Sequence, residues 1–387
     1  MNALSIFGQV LNFFPRHIFR QQVTQHGAER CAKGFSCWDQ FVAMLFCQLA
    51  DAASLREITA GLATAGARLG HLGLVRPPAR ATLAYANAHR PAALYEALFY
   101  DLLGRAGELV QLPRHKFRFK NPLYSLDATT LDLCLSLFPW AEFRRTKGGV
   151  KLHMVLDHEG YLPVYAHLTE ARCHEIRTAR ELGFAPGSVI VFDRGYADYA
   201  WFGSLCATGV FFVTRLKDNA VYEVIERRPC KGDIRADELI RLSGTAGAEC
   251  PHELRRIAVW VEKDQRELVF LTNHPGFAAS TIAAIYKERW QIELFFKALK
   301  QNLRIKSFVG TSKNALLTQI WTALIAILLL KILQLRSRRG WALSTLCTLL
   351  RWNLFAYREL WEWLAHADDP PPEQPPPLFA AGLGQLI

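Results

Sequence analysis

"SVIVFDRGY", residues 188–196, decides the fold class. Val189, Ile190, Val191 and Phe192 show no alternation between apolar and polar, which is the mark of a strand covered on both faces in a parallel or mixed sheet. The run ends at Asp193, and the carboxyl ends of such strands are where functional groups gather. Upstream, "PLYSLDATTLDLC", "GGVKLHMVLDHEG" and "LPVYAHLTEA" read as three strands joined by tight turns, and downstream "GVFFVTRL" reads as another. Helical segments at 174–183 and 197–208 separate the later strands, so residues 120–218 are expected to form a mixed α/β sheet.

Outward from that sheet the texture changes twice. Residues 219–278 carry "VYEVIERR", "LRRIAVWVEKD" and "RELVFLTNHP" and read as a β-rich insertion, placed before long helices at 279–340. Residues 1–110 read as a small helical domain, with Ser54 and Glu57 spaced as a capping box. Arg76, Arg80, His89 and Arg90 fall on or beside a later helix there. Two readings of that region stay open: a helix-turn-helix that reads DNA, or a bundle that packs on the next domain. Residues 341–387 read as a C-terminal helix and an extended tail around "ADDPPPEQPPPLF".

The chain has 387 residues, of which 51% are apolar and 21% charged, enough for a core spread over two or three domains. Its net charge of +11 is uneven: residues 1–120 hold fourteen Lys and Arg against seven Asp and Glu, and 286–313 hold seven against two. That distribution favours a polyanionic partner, nucleic acid ahead of a membrane surface. The nine cysteines include no C-x-x-C, which fits reduced thiols and not a disulfide framework or a zinc knuckle; Cys173–His174 is the only Cys/His neighbour pair. The amino terminus lacks the features of a secretory signal, so an intracellular location is expected. In "ALLTQIWTALIAILLLKILQLRSRR", residues 315–339, the most apolar part runs from Ile320 to Leu330, short of the roughly 20 residues a span needs, and a buried helix is expected.

"IYKERWQIELFFKALKQNLRIKSF", residues 285–308, has helical periodicity. Ile285, Ile292, Phe295, Phe296, Leu299 and Leu303 form a core stripe, and Tyr286, Arg289, Glu293, Lys297 and Lys300 fall in an adjoining arc of roughly 80°. The plain reading of the second stripe is a solvated face with a Glu293–Lys297 pair. Asp193 and Asp127, the latter among buried neighbours in "LYSLDATT", need a cation or strong hydrogen bonds. Their plain readings are a cap paired with Arg194 and an Asx turn with Thr129 or Thr130. Asp132, Asp157 and Asp198 fall at strand ends or turns and are weaker candidates. Three acids without His or Cys at matching spacing make an oxygen-only donor set, which suits Mg²⁺. Two such ions about 3.5–4 Å apart can act on a phosphodiester, and Arg289 and Lys300 can hold its phosphates.

Tyr286-x₂-Arg289-x₃-Glu293-x₆-Lys300, with Asp127-Ala128-Thr129 and Asp193-Arg194-Gly195-Tyr196 ahead of it, resembles the signature of the bacterial insertion-sequence transposases of the family named insertion sequence four. The resemblance covers residues 120–335 and, less securely, the helical region before them. It implies a ribonuclease-H-like fold with a β-insertion between the second Asp and the Glu, and DNA transposase activity. It implies that Asp127, Asp193 and Glu293 are the catalytic triad that binds Mg²⁺ or Mn²⁺, two ions in all. It implies DNA contacts from Tyr286, Arg289 and Lys300, with Trp290 and Arg194 beside them. Trp260 is assigned the aromatic that holds a flipped base, with packing in its strand as the open alternative. The implied partners are transposon terminal inverted repeats and target DNA, bound by a homodimer in a synaptic complex without a membrane. The implied location is the bacterial cytoplasm, on the nucleoid when DNA is bound. Ala128 stands where the family has Ser or Gly, and the acid itself is kept. The alternatives are a DNA-binding regulator, which would have lost an acid, and a nuclease of the same fold that never joins strands. A glycosidase carboxylate pair ranks behind both, because its cleft does not call for cations around the acid.

Overall fold

Val189–Phe192 is a strand buried along its whole length, as its unbroken apolar run requires. The computed structural model describes residues 4–367 except 31, 33, 145, 146 and 338, so the Pro-rich tail lies outside the described residues. Among these, the strands are β1 (Leu123–Leu133), β2 (Glu142–Arg144), β3 (Lys147–Asp157), β4 (Pro163–Glu170), β5 (Val189–Phe192), β6 (Phe211–Arg215), β7 (Tyr222–Arg227), β8 (Ile234–Leu242), β9 (Glu253–Val261) and β10 (Arg266–Thr272). They form one sheet in the order β2-β3-β1-β5-β6-β10-β9-β8-β7, with β4 also paired to β3. β3 runs antiparallel to both β1 and β4, whereas β1, β5 and β6 run parallel, with the helix Tyr199–Ala207 crossing over from β5 to β6. This succession, β4-β3-β1-β5-β6, is the ribonuclease-H-like arrangement that the sequence leads one to expect.

The insertion is not a separate layer. β10 pairs antiparallel with β6 through Phe270–Arg215 and Thr272–Val213, so β7 to β10 prolong the same sheet. Inside that extension Arg255 and Asp237 form a buried bidentate pair, with Nε and Nη2 each 2.6 Å from a carboxylate oxygen. The pair ties β8 to β9 and leaves neither charge uncompensated.

Helices cover the sheet. Cys37–Leu49, Ala93–Gly104 and Lys313–Arg336 share one hydrophobic core with the β1–β3–β4 face and with Trp290–Asn302. Lys313–Arg336 is long and apolar enough to cross a membrane, yet 94% of its most apolar stretch is packed inside the protein. Two buried glutamines, Gln48 on Cys37–Leu49 and Gln319 on Lys313–Arg336, hold the segment that follows Trp290–Asn302. Gln48 accepts from the Arg304 N–H at 2.8 Å, and Gln319 donates to the Arg304 and Ser307 carbonyls at 2.7 and 2.8 Å.

The first of the long helices expected over 279–340 is interrupted. It forms as Ala279–Glu288 and Trp290–Asn302, with Arg289 between them at φ −50°, ψ −31°. Glu288 is buried at the break and receives bonds from Lys116 Nζ (2.5 Å) and Tyr161 Oη (3.1 Å), which fix the end of the first segment to the body of the protein. The apolar stripe is otherwise as expected, with Ile285, Ile292, Phe295, Phe296, Leu299 and Leu303 all buried.

The helix Tyr199–Ala207 packs so closely on the insertion that a Cβ at Gly203 would stand 2.6 Å from the Glu249 carbonyl oxygen. Gly→Ala inside a helix ordinarily adds about 0.5–1 kcal/mol of stability. Here the clash reverses the sign: Gly203→Ala is expected to destabilise by about 1–3 kcal/mol, seen as a lowered melting temperature.

Candidate active site

The β1–β5 register places two carboxylates side by side. Leu126 pairs with Phe192 across these parallel strands, so Asp127 and Asp193 follow at the same level, where β5 ends and β1 continues. Asp127 is largely buried and accepts from the Ala128 N–H at 2.8 Å. Burial pushes its carboxyl up to about 6. The Ala128 hydrogen bond and the Arg289 charge oppose this, while Glu175 and Glu293 add to it. Asp193 caps the short turn Arg194–Tyr196 through the Gly195 N–H at 3.0 Å and receives the Tyr286 hydroxyl at 3.5 Å.

Glu293 comes from the first turn of Trp290–Asn302, the helix laid along β1. Arg289 links it to the strands: Nη2 lies 2.6 Å from Glu293 Oε1, and Nη1 lies 3.7 Å from Asp127 Oδ2. Two turns later Lys300 Nζ donates to Thr129 Oγ1 (2.6 Å) and to the Thr130 carbonyl (3.0 Å). Burial lowers the pKa of this ammonium. Asp127 and Glu293, but not Asp193, line a cleft of about 480 Å³ together with Thr129, Lys297, Lys300 and Lys306. Among the described residues no three His, Cys, Asp or Glu side chains close on one point. The guanidinium of Arg289 lies between two of the acids instead, which marks that point as one where positive charge is favoured. With oxygen as the only donor type, the site fits a hard divalent cation.

Comparison with known proteins decides the family. The family described as "Transposase DDE domain" matches residues 118–329. The chain belongs to the DDE transposases. It is 34% identical over 304 residues to the putative transposase y4zB of Sinorhizobium fredii, covering 77% of this chain and 82% of the relative. It is 30% identical over 250 residues to the probable transposase for insertion sequence element IS5377 of Geobacillus stearothermophilus, covering 60% of this chain and 63% of the relative. Residues 2–75 match a separate domain of unknown function. The protein is therefore a DNA transposase of the insertion-sequence type, an enzyme of DNA phosphoryl transfer that uses divalent metal.

Arg289 links Asp127 to Glu293, Tyr286 reaches Asp193, and Lys300 reaches Thr129, but among the described residues the three acids do not close on one point. The plain readings of these residues fare unevenly. Asp193 does cap a turn, but Arg194 turns outward to Asp218 at 3.2 Å and does not pair with it. Glu293 pairs with Arg289 and leaves Lys297 facing the cleft. Thr129 receives Lys300, and Asp127 takes the adjacent amide in place of a threonine. Trp290 is 55% exposed. Trp260 stands on β9 in the sheet extension, half-buried, with its indole N–H donated to Glu262 Oε2 at 2.8 Å. Lys306 and Gln301 also line the cleft and were not singled out from the sequence; the excess of basic residues in 286–313 is the signal that could have found Lys306.

Asp127 makes stability depend on pH. Its folded pKa of about 6 lies above the ordinary 3.8, so between these values the folded state binds a proton that the unfolded state has lost, and stability falls as pH rises through that window. The full cost, on the order of 2–3 kcal/mol, is present above pH ~6. Asp127→Asn in EDTA is therefore expected to melt higher than the parent at pH 7 and at nearly the same temperature at pH 4, measured by thermal melts.

Proposed function

We propose that Asp127, Asp193 and Glu293 are the catalytic triad that holds two Mg²⁺ ions, with Mn²⁺ able to replace them, and that the substrate is the terminal inverted repeat of an insertion sequence. The observation that carries this is the shared level of Asp127 and Asp193 on adjacent parallel strands, with Glu293 brought to them by Arg289. When bound, divalent cations supply activation of a water or 3′-hydroxyl and stabilisation of the leaving oxygen. The chain's own residues do the positioning. The carboxylates set where the ions sit. Arg289 neutralises Asp127 and Glu293 in the ion-free protein and is placed to take a phosphate bidentately. Lys300, anchored on Thr129, presents its ammonium beside the scissile region as a point charge, and Tyr286 orients Asp193.

Lys297 and Lys306 extend this positive wall along the cleft. Trp290 and Arg194, both solvent-exposed, are assigned to DNA contact, and Trp260 to a base near the end. Residues 1–110 are assigned to end binding, 120–218 with 279–340 to the catalytic core, 219–278 to the insertion and 341–387 to a C-terminal segment. The working form is a homodimer in a synaptic complex, each protomer holding one end, in the bacterial cytoplasm on the nucleoid. A second step on target DNA uses the freed 3′-hydroxyl.

Glu293→Gln keeps the shape of the side chain and removes its charge. With a labelled inverted-repeat duplex it is expected to bind as the parent does in a gel shift and to lose cleavage and joining by at least a thousandfold in Mg²⁺, and cleavage at the parental rate would refute the triad. Nicking by the parent without any joined product would identify a nuclease.

A further inference from the structure

Residues 111–119 lie between the segment assigned to end binding and the catalytic core. There "RHKFRFK", residues 114–120, alternates cations with rings, and no Asp or Glu occurs between Glu108 and Asp127. Burial alternates in step: Arg114, Lys116, Arg118 and Lys120 are exposed, whereas His115, Phe117 and Phe119 are half-buried. No strand partner imposes this pattern; the rings do. Phe117 and Phe119 stack with centroids 5.1 Å apart at 14°, His115 lies 4.8 Å from Phe119, and Phe119 stacks on Phe277 at 4.6 Å and 25°. His115 Nε2 donates to the Asn121 carbonyl at 3.0 Å, which closes the loop on itself, and Asn121 Nδ2 donates to the Gly187 carbonyl at 2.6 Å. The result is a knuckle of packed rings with four cations turned outward.

Four like charges on one short loop repel one another, and the protein answers only one of them. Lys116 Nζ lies 2.5 Å from Glu288 Oε1, whereas Arg114, Arg118 and Lys120 make no hydrogen bond or ion pair among the described residues. The Lys116–Glu288 bond also sets the knuckle against the break before Arg289, two residues ahead of the exposed Trp290. Phe277 holds it near the start of the same helix, Ala279–Glu288. A backbone fixed in this way presents its cations preorganised, so a polyanion that binds them pays less in ordering. The rings face the protein and offer no stacking platform to unpaired bases, which leaves phosphates as the groups the knuckle fits.

We infer that Arg114, Arg118 and Lys120 form a surface, outside the cleft, that holds the sugar–phosphate backbone of duplex DNA without reading its sequence. The inference rests on duplex DNA as the substrate and is independent of the metal triad. Its alternative is a solvated connector whose charges meet only water and salt.

The test is duplex binding by the full chain in EDTA, followed by fluorescence anisotropy over a series of salt concentrations, with the inverted-repeat duplex and an unrelated duplex of equal length. The variant is Arg114→Gln with Arg118→Gln and Lys120→Gln, which leaves the rings and Lys116 in place and is expected to melt with the parent. Its affinity is expected to fall at least ~10-fold in about 0.1 M salt on both duplexes alike. The slope of log affinity against log salt should become shallower by about 2–3, at roughly 0.9 per phosphate lost. Parental affinity and slope in this variant overturn the inference. So does a loss confined to the inverted repeat, because the surface would then read sequence. Should the triple variant fold poorly, Arg118→Gln is expected to remove about one unit of slope and Arg118→Lys to retain it, and equal slopes in the two overturn the inference. The two levels separate through the parent. If the parent binds both duplexes and the triple variant binds as tightly, only the role of the knuckle falls; if the parent binds neither duplex, DNA as substrate falls and the inference with it.

Discussion

Half-buried carboxylates need positive charge, and the candidate site is organised around that need. Parallel pairing of β1 with β5 sets Asp127 and Asp193 at one level, and the helix along β1 adds Glu293. Like charges so placed disfavour one another's ionisation. Arg289 answers this for Asp127 and Glu293, Tyr286 gives a hydrogen bond to Asp193, and Lys300 stands on the next residues of β1. The Y-R-E-K spacing is the consequence: on a helix it puts each partner within reach of the strand ends that hold the acids.

That geometry survives only on a stiff frame. The central strands are buried on both faces, and the insertion adds its strands through hydrogen bonds to β6, so the sheet is prolonged and its edge moved away from the active site. On the other side Lys313–Arg336 runs through the core and holds the amino-terminal helices, while Gln48 and Gln319 bind the chain just beyond Trp290–Asn302. A buried glutamine with every bond placed allows less movement than an apolar contact of equal area, because displacement leaves polar groups unpaired. The helix that carries Glu293 is thus fixed at both ends, at Glu288 before it and at Arg304 after it.

Much of this was legible in the sequence because it depends on short-range patterns. The run Val189–Phe192 with its terminal Asp193, the acid inside "LYSLDATT" and the stripe from Tyr286 to Lys300 each carry their own periodicity. What escaped depends on partners far along the chain. β8 was not visible in "IRADELIRL", because its buried Asp237 makes sense only once Arg255 is known to face it. The break at Arg289 was hidden because nothing in the local helix pattern reports that Glu288 is tied to Lys116 and Tyr161. Arg90 was one of the basic residues that left both a DNA-reading helix and a packing bundle open; its guanidinium donates to the Phe35 and Ser36 carbonyls within the bundle.

In the proposed metal site, Arg289 also sets a limit on how tightly a cation can be held. A cation binds only to ionised carboxylates, so the burial that lifts Asp127 to about 6 makes protons competitors for the site, and the guanidinium between Asp127 and Glu293 is a second competitor. Both effects weaken the ion-free site's hold on metal. Both also keep a cluster of acids folded when no metal is present, where unpaired buried charge costs several kcal/mol. Phosphates entering the cleft past Lys297, Lys300 and Lys306 shift this balance, since a phosphate attracts Arg289 away from the acids and brings further oxygen ligands. Metal and DNA should therefore bind with positive coupling. Because the coupling runs through one guanidinium that both ligands displace or engage, it should disappear when that guanidinium is removed, even though the acids remain.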